Sequence, residues 1–466
     1  MRAQAALWAA IASFAAGFSA LAVLRHEAFN SGRFDLGNMV QVVWSTAHGD
    51  PLRMTDLEGE QISRLAAHTD VLLAAFAPLW LLWPDPSLLL VAQAALVALG
   101  ALPVFWLARK HLDSPRAAVG FALAYLLYPP VQWLVLDDFH AVALACPLLL
   151  FAFWYLDEHR LGPFAVVAAV AVLTKEEVGF VVAALGIWYA LARGRRRAGV
   201  AIAAAGTAVS LLAILAVLPA FSDGESDFYR RYGEVGGSPG GIVETLLTDP
   251  LLVLEVAFDG RGVGYLARLL VPLALVLLAP LTAVVAVPEL AINLLSSAPT
   301  QTSIHFHYTA GITPALVAGS IFGAARIARR RPRAATPLAG LAVALALVSG
   351  WWLGPLPYPG GEDLAADVWR VEAHDRTTER ALELVPGDAV VSASNAPGAH
   401  LSERRRILSF PYRHDAEWVV VDETRPSYAD RAVAPVEAAA AVAWLRRDAD
   451  WRLVFEEDGV LVFRRD

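Results

Sequence analysis

"GPFAVVAAVAVLTKEEVGFVVAALGIWYALA", residues 162–192, sets Lys175, Glu176 and Glu177 in the middle of a run otherwise built for hydrocarbon. As one helix it would measure roughly 45 Å at 1.5 Å per residue, against a bilayer core of about 30 Å. Both flanks, Asp157–Arg160 and Arg193–Arg197, carry the basic marks of cytoplasmic loops. The segment must therefore cross an even number of times, and we read it as a hairpin with the three charges at its outer tip. Arms of about 13 and 16 residues leave that tip below the outer surface. Charge at such a depth persists only in a cavity lined by protein or water.

Working outward, apolar runs recur along the whole chain: about 5–24, 86–108, 115–133, 139–156, 162–174, 177–192, 198–220, 264–279, 281–296, 310–325 and 335–353. With 57% hydrophobic and 18% charged residues, and a mean hydropathy of +0.50, this is the composition of a polytopic membrane protein. Eleven spans with a cytoplasmic N-terminus put the basic clusters at 109–116, 160, 193–197 and 326–333 all inside. Arg2 and the run to Leu24 are read as an uncleaved first helix, since no small-x-small site precedes Arg25. A net charge of −8, with arginines gathered at span ends, argues against a nucleic-acid partner. The single cysteine, Cys146, excludes an intramolecular disulfide.

The transmembrane domain is expected over 1–353, with a long first outer loop at 25–85 and a second, irregular one at 221–263. Within the first loop, VLLAAFAPLWLLW is too short to span and is expected at the interface. Residues 354–466 read as a small extracytoplasmic α/β domain: helix-like LAADVWRVEAHDRTTERALELV, strand-like AVVSAS, WVVVDE, WRLVFEE and GVLVFRR, and a helix at VEAAAAVAWLRR.

On this topology other unusual polar residues share the outer side. They are Asp35 in "GRFDLGN", His68 and Asp70 in "HTD", Asp137, Asp138 and His140 in "DDFH", and Gln301, His305, His307 and Tyr308 beyond the ninth span. A loop carboxylate is usually just solvated, and a lone histidine usually a structural hydrogen-bonder. Their common side, with Lys175, Glu176 and Glu177, points instead to one cavity suited to proton transfer, a divalent cation and a phosphate. Lysine is rare here: only Lys110 and Lys175 occur among 37 basic residues.

"FDLGNMVQVVW", "DDFHAVALACPLLLFAFWY", "LTKEE" and "HYTAGITPAL" resemble a prokaryotic family of predicted membrane proteins known as a domain of unknown function (2079). More distantly, the long first loop with an early Asp and the "VAVLTKEEVGF" hairpin are similar to the GT-C superfamily of membrane glycosyltransferases, which use polyprenyl-phosphate-linked sugars. That resemblance implies an inverting transferase in the cytoplasmic membrane. It would pass a sugar from a polyprenyl-phosphate donor to a lipid, glycan or protein acceptor outside. It implies Asp35 as general base and Lys175, His305, His307 and Tyr308 toward the donor phosphate. His68, Asp70, Asp137, Asp138, His140, Glu176, Glu177 and Gln301 become substrate or metal candidates, with Mg or Mn as the possible cation. "FDLGN", "HTD" and "KEE" depart from the superfamily's paired acids, His-Pro-Pro and Lys-Gly. A transporter or flippase of a lipid-linked or anionic solute, and a non-catalytic envelope-assembly protein, stand as alternatives.

Overall fold

The computed structural model describes residues 1–222, 227–356, 366–433 and 435–466. All eleven apolar runs are helical. Among the described residues, six helices are long and apolar enough to cross a membrane: Arg2–Glu27, Ser87–Leu112, Arg196–Phe221, Gly260–Leu278, His307–Ala328 and Pro332–Leu353. The pair Pro115–Leu127 and Pro129–Leu136, bent by 47°, makes a seventh if taken as one broken span. The bend follows from Pro129 and Pro130, which donate no backbone hydrogen bond, and Tyr128 before them is extended at ψ 120°. The helices Ala141–Asp157, Leu161–Val172, Val178–Ala192 and Pro280–Leu294 are shorter, as is Val71–Trp80 in the long first loop.

The expected hairpin is present, with arms of 12 and 15 residues. Its second arm, Val178–Ala192, lies backbone to backbone against Arg196–Leu212. A Cβ on Gly179 would fall 2.6 Å from the Gly206 carbonyl oxygen, and one on Gly186 would fall 2.6 Å from that of Gly199. Side chains at these glycines would push the helices apart, so the small residues hold the charged tip in place. Ser210 Oγ adds a bond to the Glu176 carbonyl at 2.6 Å.

One expectation fails. The segment 221–263 is largely helical over its described residues, with a 3₁₀ stretch at Asp227–Val235 and helices Pro239–Thr248 and Pro250–Ala257. The cause is capping chemistry: Ser238 and Asp249 accept from backbone N–H groups three residues on, and each is followed by a proline at the first helical position.

In the C-terminal domain the expected strands form β3 (Val391–Ala393), β5 (Trp418–Asp422), β6 (Trp451–Glu457) and β7 (Val460–Arg465), after a small hairpin of β1 (Arg53–Thr55) and β2 (Gln61–Ser63) in the long loop. A short β4 (Ile407–Ser409) was not expected; three residues give too little alternation to read. The sheet order is β4-β3-β5-β7-β6, parallel among β4, β3 and β5 and antiparallel beyond. The helix expected over 364–385 is broken, with a single turn at Ala366–Trp369 before Ala373–Leu382, and its first two residues lie outside the described ones. This domain rests on the long loop, where Arg406 Nη2 donates to the Gly59 carbonyl at 2.8 Å. Loop, hairpin tip and C-terminal domain thus share one end of the helix bundle.

Candidate functional site

The helix Arg2–Glu27 ends in a short turn and then a π-helical turn, Arg33–Gly37, which carries Asp35. The Asp35 side chain is 53% exposed, and its Oδ1 lies 3.3 Å from His140 Nε2. His140 Nδ1 donates to the Asp137 carbonyl at 2.8 Å, which directs Nε2 toward Asp35. Partial desolvation by the surrounding site opposes ionisation of the half-exposed Asp35, but the His140 bond and the charges of His140, Arg25 and Arg64 outweigh it and hold its carboxyl below the usual range.

The "DDFH" stretch is the hub. Gln93, fully buried in the helix Ser87–Leu112, donates to the Asp138 carbonyl at 2.6 Å and accepts from the His140 N–H at 2.9 Å. Asp138, at φ 47°, accepts from Gly32 N–H at 2.9 Å and so ties this stretch to the Asp35 turn. Asp137 Oδ2 accepts from the His307 backbone N–H at 2.7 Å and lies 3.1 Å from His307 Nδ1. The His140 and His307 rings stack at 3.8 Å. Burial and then the neighbouring Asp35 and Asp138, against the pull of His140, push Asp137 up to about 7.

The hairpin tip faces the same cluster. Lys175 Nζ lies 2.8 Å from Glu177 Oε1, both side chains 13% exposed, and 5.4 Å from the Tyr308 ring centre. Burial works against its ammonium, yet Glu177 and Glu176 prevail and keep Lys175 charged well above the ordinary lysine range. Glu176 bridges outward to His68 Nδ1 at 2.8 Å and to Thr69 N–H at 3.0 Å. Tyr308, beside the Lys175 ammonium, packs on His307 at 4.2 Å, and His307 stacks on His140, so a continuous run of contacts joins the tip to the "DDFH" hub.

Three candidates have other contacts. Asp70 is locked in a buried ion pair with Arg64, at 3.0 and 2.8 Å. His305 packs edge-on to Trp133 at 4.7 Å. Gln301 is buried at 4% exposure. Reasoning from sequence missed Gln93, Arg25 and Arg64. A lone glutamine in an apolar span is the available signal for the first.

Asp137, His140 and His307 each offer one ligand atom, and these atoms lie within 4.8 Å of one another. Two imidazoles with one carboxylate fit a transition-metal ion such as Mn²⁺ or Zn²⁺ better than Mg²⁺, which prefers an all-oxygen shell. The His140 Nδ1 bond to a carbonyl is the kind of outer contact that orients a ligating imidazole.

A helical bundle with this long first loop, a charged short hairpin and a terminal α/β domain is GT-C-like in fold. Two crystal structures of ArnT from Cupriavidus metallidurans share it. One, bound to undecaprenyl phosphate, aligns with a TM-score of 0.50 and 11% identity over 96% of this chain and 97% of that one. The other, in the apo state, aligns with a TM-score of 0.52 and 12% identity over 92% and 93%. At such identities the likeness is one of fold. The chain itself belongs to the predicted-membrane-protein family DUF2079, whose model matches residues 25–462. A search of curated proteins finds no significant match.

Proposed function

We propose that this protein is a GT-C-type glycosyltransferase that takes a sugar from a polyprenyl-phosphate donor, at the extracytoplasmic face of the cytoplasmic membrane. The observation that carries the reading is that an open carboxylate, Asp35, and a buried ammonium, Lys175, flank one histidine cluster, linked through His140, His307 and Tyr308. The likeness of fold to a protein crystallised with undecaprenyl phosphate supports the choice of donor.

Asp35 takes the proton from an acceptor hydroxyl as that oxygen bonds to the anomeric carbon. The bond from this carbon to the phosphate oxygen breaks with its electron pair, and attack from the opposite face inverts the centre. Lys175 faces the departing lipid phosphate. Its ammonium has three N–H groups, so the Glu177 contact leaves donors for the phosphate, and Tyr308 lies over its other side. A divalent ion held by Asp137, His140 and His307 would supply further charge stabilisation for the phosphate. The lipid, glycan or protein acceptor approaches the exposed face of Asp35, on the side of the C-terminal domain.

Asp35→Asn tests this. Asn keeps the shape and the hydrogen bonding of the turn but cannot act as a base. The variant should fold and bind undecaprenyl phosphate like the parent, and show no transfer above about a hundredth of the parent rate with polyprenyl-phosphate-linked sugars. Near-parental transfer removes Asp35 as the base.

A further inference from the structure

The C-terminal domain meets the membrane part chiefly at the turn that carries Asp35. Arg33, two residues earlier, is 1% exposed. Its guanidinium donates to Ser409 Oγ at 2.7 Å and to the backbone carbonyls of Ile407 at 2.7 Å, Thr55 at 2.9 Å and Asp56 at 3.1 Å. One side chain therefore stitches the Asp35 turn to the β1 hairpin and to β4 of the C-terminal sheet. Among the described residues Arg33 makes no ion pair. A buried cation with hydroxyl and carbonyl partners alone is a costly route to stability but a specific way to fix geometry.

The helix Asn395–His400 closes over the same turn. Asn395 Oδ1 accepts from Phe34 N–H at 3.3 Å, and Asn395 Nδ2 lies 2.7 Å from where a Cβ on Gly32 would stand. A Cβ on Gly37 would meet Ser402 Oγ at 2.6 Å. His400 stacks on His26 at 4.0 Å and on Phe29 at 4.1 Å, just before the turn. From the membrane side Asp138 holds Gly32 N–H. The backbone is thus gripped from two sides while the Asp35 side chain stays open.

We propose that the C-terminal domain clamps this turn, and that Arg33 is the positioning residue through which it sets the Asp35 carboxylate. The positioning role rests on the reading of Asp35 as the group facing the acceptor; the clamp does not. Displacing a reacting group by about an ångström costs on the order of a hundredfold in rate, so the effect belongs in kcat.

The test uses the full-length protein in lipid nanodiscs, comparing parent, Arg33→Met and Arg33→Lys. Arg33→Met should speed amide hydrogen exchange at residues 34–38 by at least about tenfold, with β5 and the hairpin helices as protected as before. Arg33→Lys should recover part of this, because a point-charge ammonium cannot span the fan of four oxygens. Undecaprenyl phosphate binding should stay within about twofold, and with polyprenyl-phosphate-linked sugars kcat should fall about tenfold or more at unchanged donor KM. Parental exchange at 34–38 in Arg33→Met overturns the clamp, whatever the turnover. A loosened turn with parental kcat overturns the positioning role. If Arg33→Met loses protection globally, Ser409→Ala and Asn395→Ala, each breaking one latch, are judged by the same two criteria. A parent that neither binds nor transfers removes the proposed function and the positioning role with it, while exchange alone still decides the clamp.

Discussion

The two ends of the helix bundle each hold a knot of charge, and they are built on opposite plans. At the end away from the C-terminal domain, the Asp157 side chain is 1% exposed and meets Lys110 at 2.7 Å, His111 at 2.9 Å and Arg193. Lys110 also takes Glu158 at 2.5 Å, and Arg193 lies over Trp188 at 4.8 Å. Every charge there is spent on binding helices together. At the other end Asp35 stays half open and three potential metal ligands converge. A closed knot is architecture; an open one is equipment for chemistry.

Substitutions sharpen that contrast. The largest effect is expected for Asp35→Asn: transfer at least about a hundredfold slower, with an unchanged thermal unfolding midpoint. Asp157→Ala should do the reverse, lowering unfolding free energy by about 2 kcal/mol while transfer per folded molecule holds, as read by paired unfolding and rate measurements. Its partners are partly exposed, which keeps the loss below that of a fully buried pair broken open. If Asp157→Ala slows transfer as much as Asp35→Asn does, the contrast collapses. Smaller again, Asp137→Ala or His307→Ala should weaken Mn²⁺ binding by at least about tenfold, measured by calorimetry, with Asp157→Ala binding like the parent.

The smallest effect lies in the C-terminal domain. His374 is held by Asp422 and Asp458, each at 2.9 Å. Burial opposes its charge, but those two bonds win over burial and over Arg425, and they raise the His374 pKa above its ordinary value. A raised folded-state pKa adds stability that is complete below the unfolded value, about 6.5, and is lost as pH rises through the folded one. Exchange protection of β5 and of the helix Ala373–Leu382 should therefore decline above neutral pH in the parent, and lose that pH dependence in His374→Gln.

Much of this was legible in the residues, and the pattern of hits has a physical basis. Apolar runs separated by basic loops mark membrane segments, so all eleven fall in helical stretches, although among the described residues only six helices, or seven with the bent pair, are long enough to span. The "TKEE" tip was read correctly because charge cannot sit in hydrocarbon unaided. The bend at Tyr128 is encoded by Pro129 and Pro130, but hydropathy averages across it. The helices at 239–257 were hidden because glycine and serine content outweighed the Ser238 and Asp249 caps. The pairing of Asp70 with Arg64 could not be read from the sequence, since it is a matter of folding back, not of spacing. Gln93 and Arg33 act across large sequence separations, which no local pattern announces.

The central claim is that the open end receives a lipid phosphate at Lys175. Native mass spectrometry of the detergent-released protein titrated with undecaprenyl phosphate tests it most directly, with Lys175→Met beside the parent. Lys175 is paired with the equally buried Glu177, so Lys175→Met costs stability and binding is compared on the folded fraction alone. The account predicts one lipid bound per parent chain and an affinity at least about tenfold weaker for folded Lys175→Met. Equal binding by the two proteins would contradict it.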